Sequence, residues 1–258
     1  MPSVVNETVT IHPKEENSSW LLEGNANLIV ETDDNTGMQN MEIHVKDNSN
    51  ATVLWIDHSR NACKLTQTIH VGKDASVAVA YSELMQNDVK LDVTVLLEGE
   101  GANANIRTAT VARGKLNYEI RCVHQAMHTT GIMNNYGIVL KDANWKLVAT
   151  GKIEKGHRQS ESHQTSRVLT FDKKQTVQVL PILLIDENDV KASHATSLGQ
   201  PDENQLYYMQ SRGLTKNEAI QLLAIGYLLP IADVVDDETL RTRLREEVEE
   251  KVQSVCLV

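Results

Sequence analysis

The chain has 258 residues, 41% of them hydrophobic and 23% charged, and its formal net charge is -10. This length is sufficient for one large domain, or a large and a small one, with a sizeable buried core. The negative charge argues against broad binding to nucleic acids or anionic membranes, because both need a basic surface. Aromatic residues make up only 4%, so we expect aliphatic side chains to fill most of the core.

The sequence predicts a cytoplasmic protein. No apolar run approaches the ~20 residues of a membrane-spanning helix, and the polar, acidic residues 1–20 do not resemble a signal peptide. The three cysteines, Cys63, Cys122 and Cys256, cannot form a disulfide framework, which fits a reducing compartment. We therefore expect neither nucleic acid nor membrane as a partner.

A long region of strands is predicted after an N-terminal segment. From about residue 27 to residue 190, hydrophobic and polar residues mostly alternate, as in Met41, Ile43 and Val45. This period is typical of half-buried strands, whose successive side chains point to opposite faces. Short polar turns separate the strands, and we find no convincing helix among them. We predict an N-terminal segment over 1–26, a β domain over 27–200 and a helical domain over 201–258.

Several turns of this region look like copies of one unit, in which a small residue follows a polar turn and precedes a strand. The alanines of these units are Ala51, Ala75, Ala102 and Ala143, at spacings of 24, 27 and 41 residues. The last gap leaves room for an extra rung near residues 119–123. Such repeats indicate a β-solenoid, in which each coil covers the edge of the previous one. A β-sandwich with irregular loops explains the residues equally well.

The hydrophobic period becomes helical after residue 199. Asp202 with Gln205, and Thr215 with Glu218, have the spacing of capping boxes, so each pair predicts the start of a helix. In such a box the first side chain accepts a hydrogen bond from a backbone N–H of the first helical turn, and the second side chain reaches back.

The ends of these helices and a third helix are also predicted. Gly213 can adopt the left-handed conformation that ends the first helix, and Pro230 ends the second. The third helix begins near residue 236 or 237, with Arg243–Glu247 and Glu247–Lys251 as i,i+4 pairs. Its apolar positions are Leu240, Leu244, Val248 and Val252. Three short helices bury little surface alone, so we expect them to lie on the β domain, on a second copy or on a partner.

A few histidines and one cysteine are candidate metal ligands. Cys122 and His124 would face the same side of a strand, with His128 close by in sequence, and thiolate and imidazole are usual metal ligands. Simple alternation, which places Cys122 inside the core or His124 on the surface, is the interpretation that the residues alone favour over a metal site. His157 and His163 flank a polar stretch that indicates a solvated loop. No phosphate-binding or dinucleotide-binding glycine motif occurs, so we do not expect nucleotide binding.

An ordered series of motifs is more specific than these patterns. The motifs are Val179–Ile185, Asp189–Thr196, Asp202–Tyr208 and Ser211–Leu214. The series closely resembles the C-terminal half of the SufB/SufD family, the iron–sulfur cluster assembly proteins of the SUF system. The series spans roughly residues 151–226. The resemblance to the family is weaker over residues 122–141 and slight before about residue 76. The chain resembles a SufD-like or short, minimal-type member without the long N-terminal extension of larger ones.

The resemblance implies a fold and a set of partners. The implied fold is mainly β: a right-handed parallel β-helix, or β-solenoid, followed by a small C-terminal α-helical domain. Two such subunits join through their β-helices, as a homodimer or a heterodimer, and the C-terminal helices hold a SufC-like ABC ATPase. That ATPase would hydrolyse ATP, so this chain is not expected to be an enzyme. An iron–sulfur cluster or iron would be bound transiently, with no permanent cofactor.

One histidine of the family's motifs is tied to cluster assembly at the subunit interface, and its position here is His194. We expect His194 to follow the last strand, which is predicted to end at Ile185. SufD-type members often have a cysteine two residues earlier, where this chain has Ala192. Cys122, with His124 beside it, is therefore a candidate substitute ligand for iron or a cluster.

Three functions remain open on the sequence. The first is a scaffold for cluster assembly, and the second is a structural SufD-like subunit with no cluster of its own, which Ala192 favours. The third, a β-helix enzyme acting on carbohydrate, is remote, because such enzymes are usually exported and lined with aromatic residues.

Overall fold

A computed structural model describes residues 2–85, 87–171 and 174–254, so Cys256 lies outside the described residues. Within these residues, sixteen strands form two eight-stranded sheets, which we call the odd sheet (β1, β3 and onward to β15) and the even sheet (β2, β4 and onward to β16). The strands are β1 (Ser3–Val5), β2 (Thr8–Ile11), β3 (Asn17–Leu22), β4 (Asn25–Glu31), β5 (Met38–Val45), β6 (Asn50–Ile56), β7 (Cys63–Val71), β8 (Ser76–Glu83), β9 (Val89–Leu97), β10 (Asn103–Ala112), β11 (Lys115–His124), β12 (Thr130–Val139), β13 (Asn144–Ile153), β14 (Glu161–Thr170), β15 (Thr176–Ile185) and β16 (Lys191–Gly199).

The two sheets are the two walls of a parallel β-solenoid. Successive strands alternate between the sheets, so each coil adds one strand to each wall, and every strand pairs in parallel with the strand two places along the chain. The predicted solenoid is confirmed, and the alternative of a sandwich is wrong. Three strands lie within residues 1–26, where β3 pairs with both β1 and β5. The ladder of the odd sheet therefore begins at Ser3.

Alternate residues of each strand point into the space between the walls and are buried there. Aliphatic side chains make up most of this interior, as the composition predicts. Its largest wholly buried side chains are nevertheless aromatic: Trp55, Tyr81, Tyr118 and Trp145. The rings of Tyr118 and Trp145 meet edge to face at 5.6 Å between centroids, an arrangement that aromatic pairs favour.

One corner of the solenoid is a stack of left-handed residues. Asn48, Asp74, Gly101, His128 and Gln159 each lie two residues before a strand of the even sheet and have φ between 51° and 77°. The backbone N–H of each donates to a carbonyl of the next coil, over 2.6–3.3 Å. Asn, Asp and Gly tolerate this conformation best, which is why polar turns recur in the sequence.

The stacked corner shows that the four alanines taken as one repeat do not all occupy equivalent positions. Ala75 and Ala102 both follow a left-handed corner residue and are fully buried. Ala143 instead precedes β13, a strand of the odd sheet, so the 41-residue spacing joins two different corners. The extra rung expected near residues 119–123 is confirmed, because β11 runs through it.

In the part of the chain that the structure describes, three α-helices follow the solenoid, and their predicted caps are largely confirmed. The helices are α1 (Glu203–Ser211), α2 (Lys216–Leu228) and α3 (Glu238–Ser254), with a 3₁₀ helix at Leu229–Val234 between the last two. Asp202 accepts the Asn204 N–H at 2.8 Å, and Thr215 with Glu218 forms a complete capping box. Gly213 has φ 99°. No helix in the described ranges is long and apolar enough to cross a membrane.

Helix α2, the 3₁₀ helix and α3 pack on the outer face of the even sheet, so the β domain is where their apolar side chains are buried, whereas α1 has no buried residue. Their buried side chains are Ala219, Ile220, Ala224, Leu228, Ile231, Ala232, Val234, Val235 and the four predicted α3 residues Leu240, Leu244, Val248 and Val252. They cover outward-facing residues of strands β4 to β14, among them Ile29, Leu54, Ala109, Ile138 and Leu169. At about 1.5–3 kcal/mol for each fully buried Leu, Ile or Val side chain, this contact holds the helices firmly.

Arg243, Glu247 and Lys251 of α3 contact the solenoid, whereas Arg241 pairs with Glu238 of the same helix at 2.8 Å. Arg243 pairs with Glu31 of β4, and Glu247 lies 3.5 Å from His58, where its carboxylate raises the pKa of that histidine. Lys251 Nζ lies 3.1 Å from the sulfur of Met85. The predicted i,i+4 pairs are therefore wrong, because solenoid partners compete for the same side chains.

The corner stack generates a stability prediction. Gly101 has φ 77°, and a Cβ at this position would lie 2.4 Å from the Asp74 carboxylate. We expect Gly101→Ala to lower the free energy of unfolding by ~1–2 kcal/mol, the cost of a left-handed residue with a Cβ, as measured by chemical denaturation. Gly37→Ala is the matched control, since Gly37 has open space around it. Equal stability of the two variants would contradict this account of the corner.

Candidate functional site

The last coil of the solenoid is open, and His194 lies on it. Residues 191–199 form β16, so the expectation that His194 follows the last strand is wrong. The strand was missed because its sequence lacks apolar alternation, and all nine of its residues are exposed. His194 pairs in register with the buried Gln164, and in-register residues of parallel strands share a face. His194 therefore belongs to the inward-facing row at the open end.

Cys122 and His124 lie deeper, side by side on the inward face of β11, and both are fully buried. Gly131 leaves them room, because a Cβ there would lie 2.5 Å from Cys122 Sγ and 3.1 Å from His124 Nε2. His124 Nδ1 is 2.7 Å from Thr129 Oγ1. His124 Nε2 is buried and has no hydrogen-bond partner among the described residues.

Burial controls the protonation of this pair. It raises the pKa of the Cys122 thiol to about 12. It also lowers the pKa of His124 to about 4, with a smaller contribution from nearby His157. At neutral pH the thiol is protonated and the imidazole is neutral. Since the thiolate is the form that binds metals, an enclosed Cys122 is a poor ligand until its surroundings change.

The structure brings Cys122 and His124 together but keeps both apart from His194. Cys122 is in register with Gly151 of β13, which is in register with Leu183 of β15. Two strand spacings of ~4.8 Å therefore place Cys122 roughly 10 Å from the level of the last coil. The three residues do not form one ligand set within this chain.

Polar side chains occupy the interior between these levels. Ser162 and Gln164, both buried, lie against Gly151, where a Cβ would be 2.3 Å from Ser162 Oγ and 3.1 Å from Gln164 Nε2. Gln164 Nε2 donates to the Ile182 carbonyl at 2.9 Å. Ser162 Oγ and Gln164 Oε1 have no partner among the residues that the structure describes. Sequence reasoning missed this polar row, because Ser and Gln at alternate positions look like an outer face.

The other candidate histidines belong to the scaffold. His163 lies on β14 with Nδ1 2.7 Å from Ser193 Oγ, so the expected solvated loop is wrong for this residue. His157 occupies the turn before that strand. His128 is the left-handed corner residue of its coil.

A second buried polar cluster lies nearer the middle of the solenoid, around two carboxyl groups. Asp57 accepts hydrogen bonds from the Ser59 N–H at 3.0 Å and from Asn87 Nδ2 at 2.8 Å. Glu83 is only 2% exposed, and burial, followed by the charge of Asp57, raises its pKa well above the usual value. Burial also raises the pKa of the neighbouring Cys63 thiol. Neither carboxyl group was singled out from the sequence.

Two apolar patches are exposed near the open end. Leu180 and Leu184 point outward from β15 with 44% and 50% of their surface exposed, and Leu198 of β16 is 50% exposed. Tyr207 and Tyr208 of α1 are 75% and 58% exposed. Exposed large apolar groups that cluster in this way mark candidate interaction surfaces.

Comparisons with known proteins agree on one family. A family model described as "SUF system FeS cluster assembly, SufBD core domain" matches residues 2–227, a longer stretch than the motifs alone indicate. The iron–sulfur cluster assembly protein SufD of Bacillus subtilis is 34% identical over 184 residues, which is 70% of this chain and 42% of the relative. A SufBD family protein of Synechocystis is 23% identical over 214 residues, 80% of this chain and 46% of the relative.

A further SufBD family protein, from Mycobacterium tuberculosis, is 24% identical over 230 residues, 84% of this chain and 58% of the relative. The chain thus spans about half the length of the curated relatives that it matches. The matched region of the family model contains all sixteen strands and most of α2.

The buried carboxyl group of Glu83 predicts a pH dependence. Because its pKa is raised on folding, the folded state holds a proton that the unfolded state releases above its own pKa near 4.5. The contribution of Glu83 to the free energy of unfolding is then fully present below pH 4.5. It decreases as pH rises toward the folded-state pKa, by up to ~1.4 kcal/mol per pH unit. We expect Glu83→Gln to remove this fall, so the variant gains stability over the unsubstituted protein between pH 5 and pH 8, measured by denaturation.

The exposed Glu249→Gln is the control for the removed carboxyl group. A difference between the Glu83→Gln variant and the unsubstituted protein that does not change with pH would show that Glu83 is ionised in the folded state.

Proposed function

Because this chain belongs to the SufB/SufD family of SUF-system iron–sulfur cluster assembly proteins, we propose that it is a subunit of a cluster assembly complex in the cytoplasm. The observation that carries the proposal is the core-domain match over residues 2–227. The subunit acts as a scaffold or partner without catalysing a reaction itself. Iron and sulfide are its cargo, held transiently.

The subunit pairs with a second SufB/SufD-type chain, identical or paralogous, through its last coil. The outer edges of β15 and β16 have no further strand in the described chain, and an unpaired edge readily joins another chain. Leu180 and Leu184 lie on the outer face beside this edge, where burial of exposed leucines adds to the backbone pairing.

His194 is the residue we assign to cargo binding. Its exposed imidazole on the last coil lies where a second subunit can add ligands, and imidazole is a suitable ligand for iron. Cys122 and His124 are a second, internal candidate pair, separated from His194 by the polar row of Ser162 and Gln164. For Cys122 to bind iron or a cluster, its surroundings must open or a cation must approach, because burial keeps the thiol protonated.

The α1 surface binds the ATPase of the complex. Tyr207 and Tyr208 are exposed, Leu222 of α2 is 50% exposed, and α1 has no buried residue. The buried apolar side chains of α2, the 3₁₀ helix and α3 already pack against the even sheet. An ABC ATPase docked here would supply ATP hydrolysis to the complex.

A second candidate is a structural SufD-like subunit that shapes the complex and holds no cluster. Ala192 favours it, because no thiol is present two residues before His194. Anaerobic reconstitution with iron and sulfide separates the two functions: visible absorption bands of a cluster on this chain support the scaffold, and their absence supports the structural subunit.

Pairing through the last coil is tested at Leu180. We expect Leu180→Lys to abolish pairing with the second subunit, because a charged side chain would be buried at the interface, and light scattering should then give the mass of a monomer. Thr66→Lys, on the same outer face but far from the edge, is the control. A paired Leu180→Lys protein would exclude this interface. Leu183 is unsuitable as a probe, since it lies inside the coil against Gly151.

ATPase binding is tested at α1 with point substitutions. Deleting residues 201–258 would expose the apolar outer face of the even sheet and is a poor test. We expect Tyr207→Asp with Tyr208→Asp to reduce ATPase binding at least about tenfold in a pull-down, as for interface residues worth more than 1.4 kcal/mol. Glu250→Ala on α3 should bind normally. Full retention of the ATPase by the double variant would refute docking on α1.

His194→Ala tests the cargo site. The side chain is exposed, so its loss should change the free energy of unfolding by less than about 1 kcal/mol while impairing cluster assembly in cells that depend on this system. Ser193→Ala is the neighbouring control, and Cys122→Ala asks whether the internal thiol is also required. Complementation by His194→Ala at normal expression would reject the assignment.

A further inference from the structure

Two histidines and a glutamate meet on the outer face of the odd sheet, far from the last coil. Glu42 and His44 are alternate residues of β5, so their side chains emerge on the same face. His70 of β7 is in register with His44. The two imidazole rings stack at 4.4 Å between centroids and are nearly parallel, at 12°. The solenoid ladder thus places three possible metal ligands in adjacent positions.

We propose that Glu42, His44 and His70 form a binding site for a divalent transition-metal ion such as Zn²⁺. One ligand atom from each residue lies within 4.8 Å of the other two. Glu42 Oε1 is 3.3 Å from His44 Nε2 and 3.6 Å from His70 Nε2. Two ligands that each lie ~2.1 Å from a tetrahedral ion are about 3.4 Å apart. The two separations between Glu42 and the histidines match that edge length.

A fourth residue prepares His70 for this role. Glu98, which follows β9, lies with Oε1 2.8 Å from His70 Nδ1. An ionised carboxylate only accepts hydrogen bonds, so Nδ1 carries the proton, and in the neutral imidazole Nε2 then has the lone pair that a metal ion needs. A carboxylate behind a metal-binding histidine commonly fixes the tautomer and orients the ring. Glu98 is therefore a positioning residue.

The surroundings favour an exchangeable ion of borderline hardness. His70 is the most enclosed ligand, with 21% of its side chain exposed, against 41% for His44 and 57% for Glu42. Two imidazoles and one carboxylate suit Zn²⁺, Co²⁺ or Fe²⁺ better than Mg²⁺ or Ca²⁺, which prefer oxygen ligands only. Three protein ligands leave at least one position for water, as in sites that exchange ions or substrates.

The simplest alternative is that Glu42 merely pairs with protonated histidines, and zinc titration distinguishes the two. The probe is ZnCl₂ added to the chelator-treated, untagged protein of residues 1–258 at pH 7.5, with Cys256→Ser present throughout to remove a competing thiol. Calorimetry should give one zinc ion per chain. His70→Gln and Glu42→Gln should each weaken binding at least about tenfold, and Glu98→Gln by about tenfold, the usual effect of losing such a partner.

His128→Gln is the matched control, because His128 Nε2 lies 3.8 Å from Glu100 in an exposed pair without a second histidine. This variant should bind zinc as tightly as the unsubstituted protein, and all variants should keep its unfolding temperature. Co²⁺ should give visible absorption that is lost in His70→Gln. Absence of stoichiometric zinc binding, or a loss smaller than tenfold in both His70→Gln and Glu42→Gln, overturns the proposal.

Discussion

Each coil of this protein is held by backbone hydrogen bonds to the coils before and after it, and the rest of the structure depends on that ladder. A parallel ladder in register stacks equivalent residues in columns, both along the walls and at the corners. The left-handed corner residues, such as Asp74 and Gly101, form one such column. The ladder also has to end, and at β15 and β16 it leaves backbone groups and leucines without a further coil to cover them.

The columns explain how polar groups come to lie inside. An inward-facing Ser or Gln is acceptable only if neighbouring coils leave room or offer partners, and Gly131 and Gly151 supply that room beside Cys122 and Ser162. The same enclosure keeps the thiol of Cys122 protonated and the imidazole of His124 neutral. Part of the interior of the later coils is thus polar, although apolar side chains such as Trp145 and Leu147 share it, and burial keeps its thiol and imidazole uncharged. Access from the open end is what would change that.

Much of the fold could be predicted from the sequence, because its signals are local. Alternation identified the long β region, and the capping residues Thr215 and Glu218 identified the start of α2. β16 was missed, since a strand at an open end has no buried face to impose apolar alternation. The partners of Arg243 were also missed, because a local i,i+4 pattern does not reveal that Glu31 lies across from it.

The site was only partly predictable for the same reason. Alternation placed Cys122 and His124 on one face of a strand, and the family motif identified His194. The distance between those positions depends on how many coils separate them. The alanine repeat did not give the number of coils, because it combined turns before strands of the even sheet with a turn before a strand of the odd sheet. The meeting of His44 with His70 likewise depends on register between β5 and β7, which sequence patterns determine poorly.

The central claim is that the open edge of the last coil is where this subunit joins its partner. Hydrogen–deuterium exchange tests it directly, with the isolated chain compared with the purified assembly complex. We expect backbone amides of β15 and β16 to exchange faster than those of β11 in the isolated chain and to become protected in the complex. Unchanged exchange of β15 and β16, with new protection elsewhere on the solenoid, would contradict the claim.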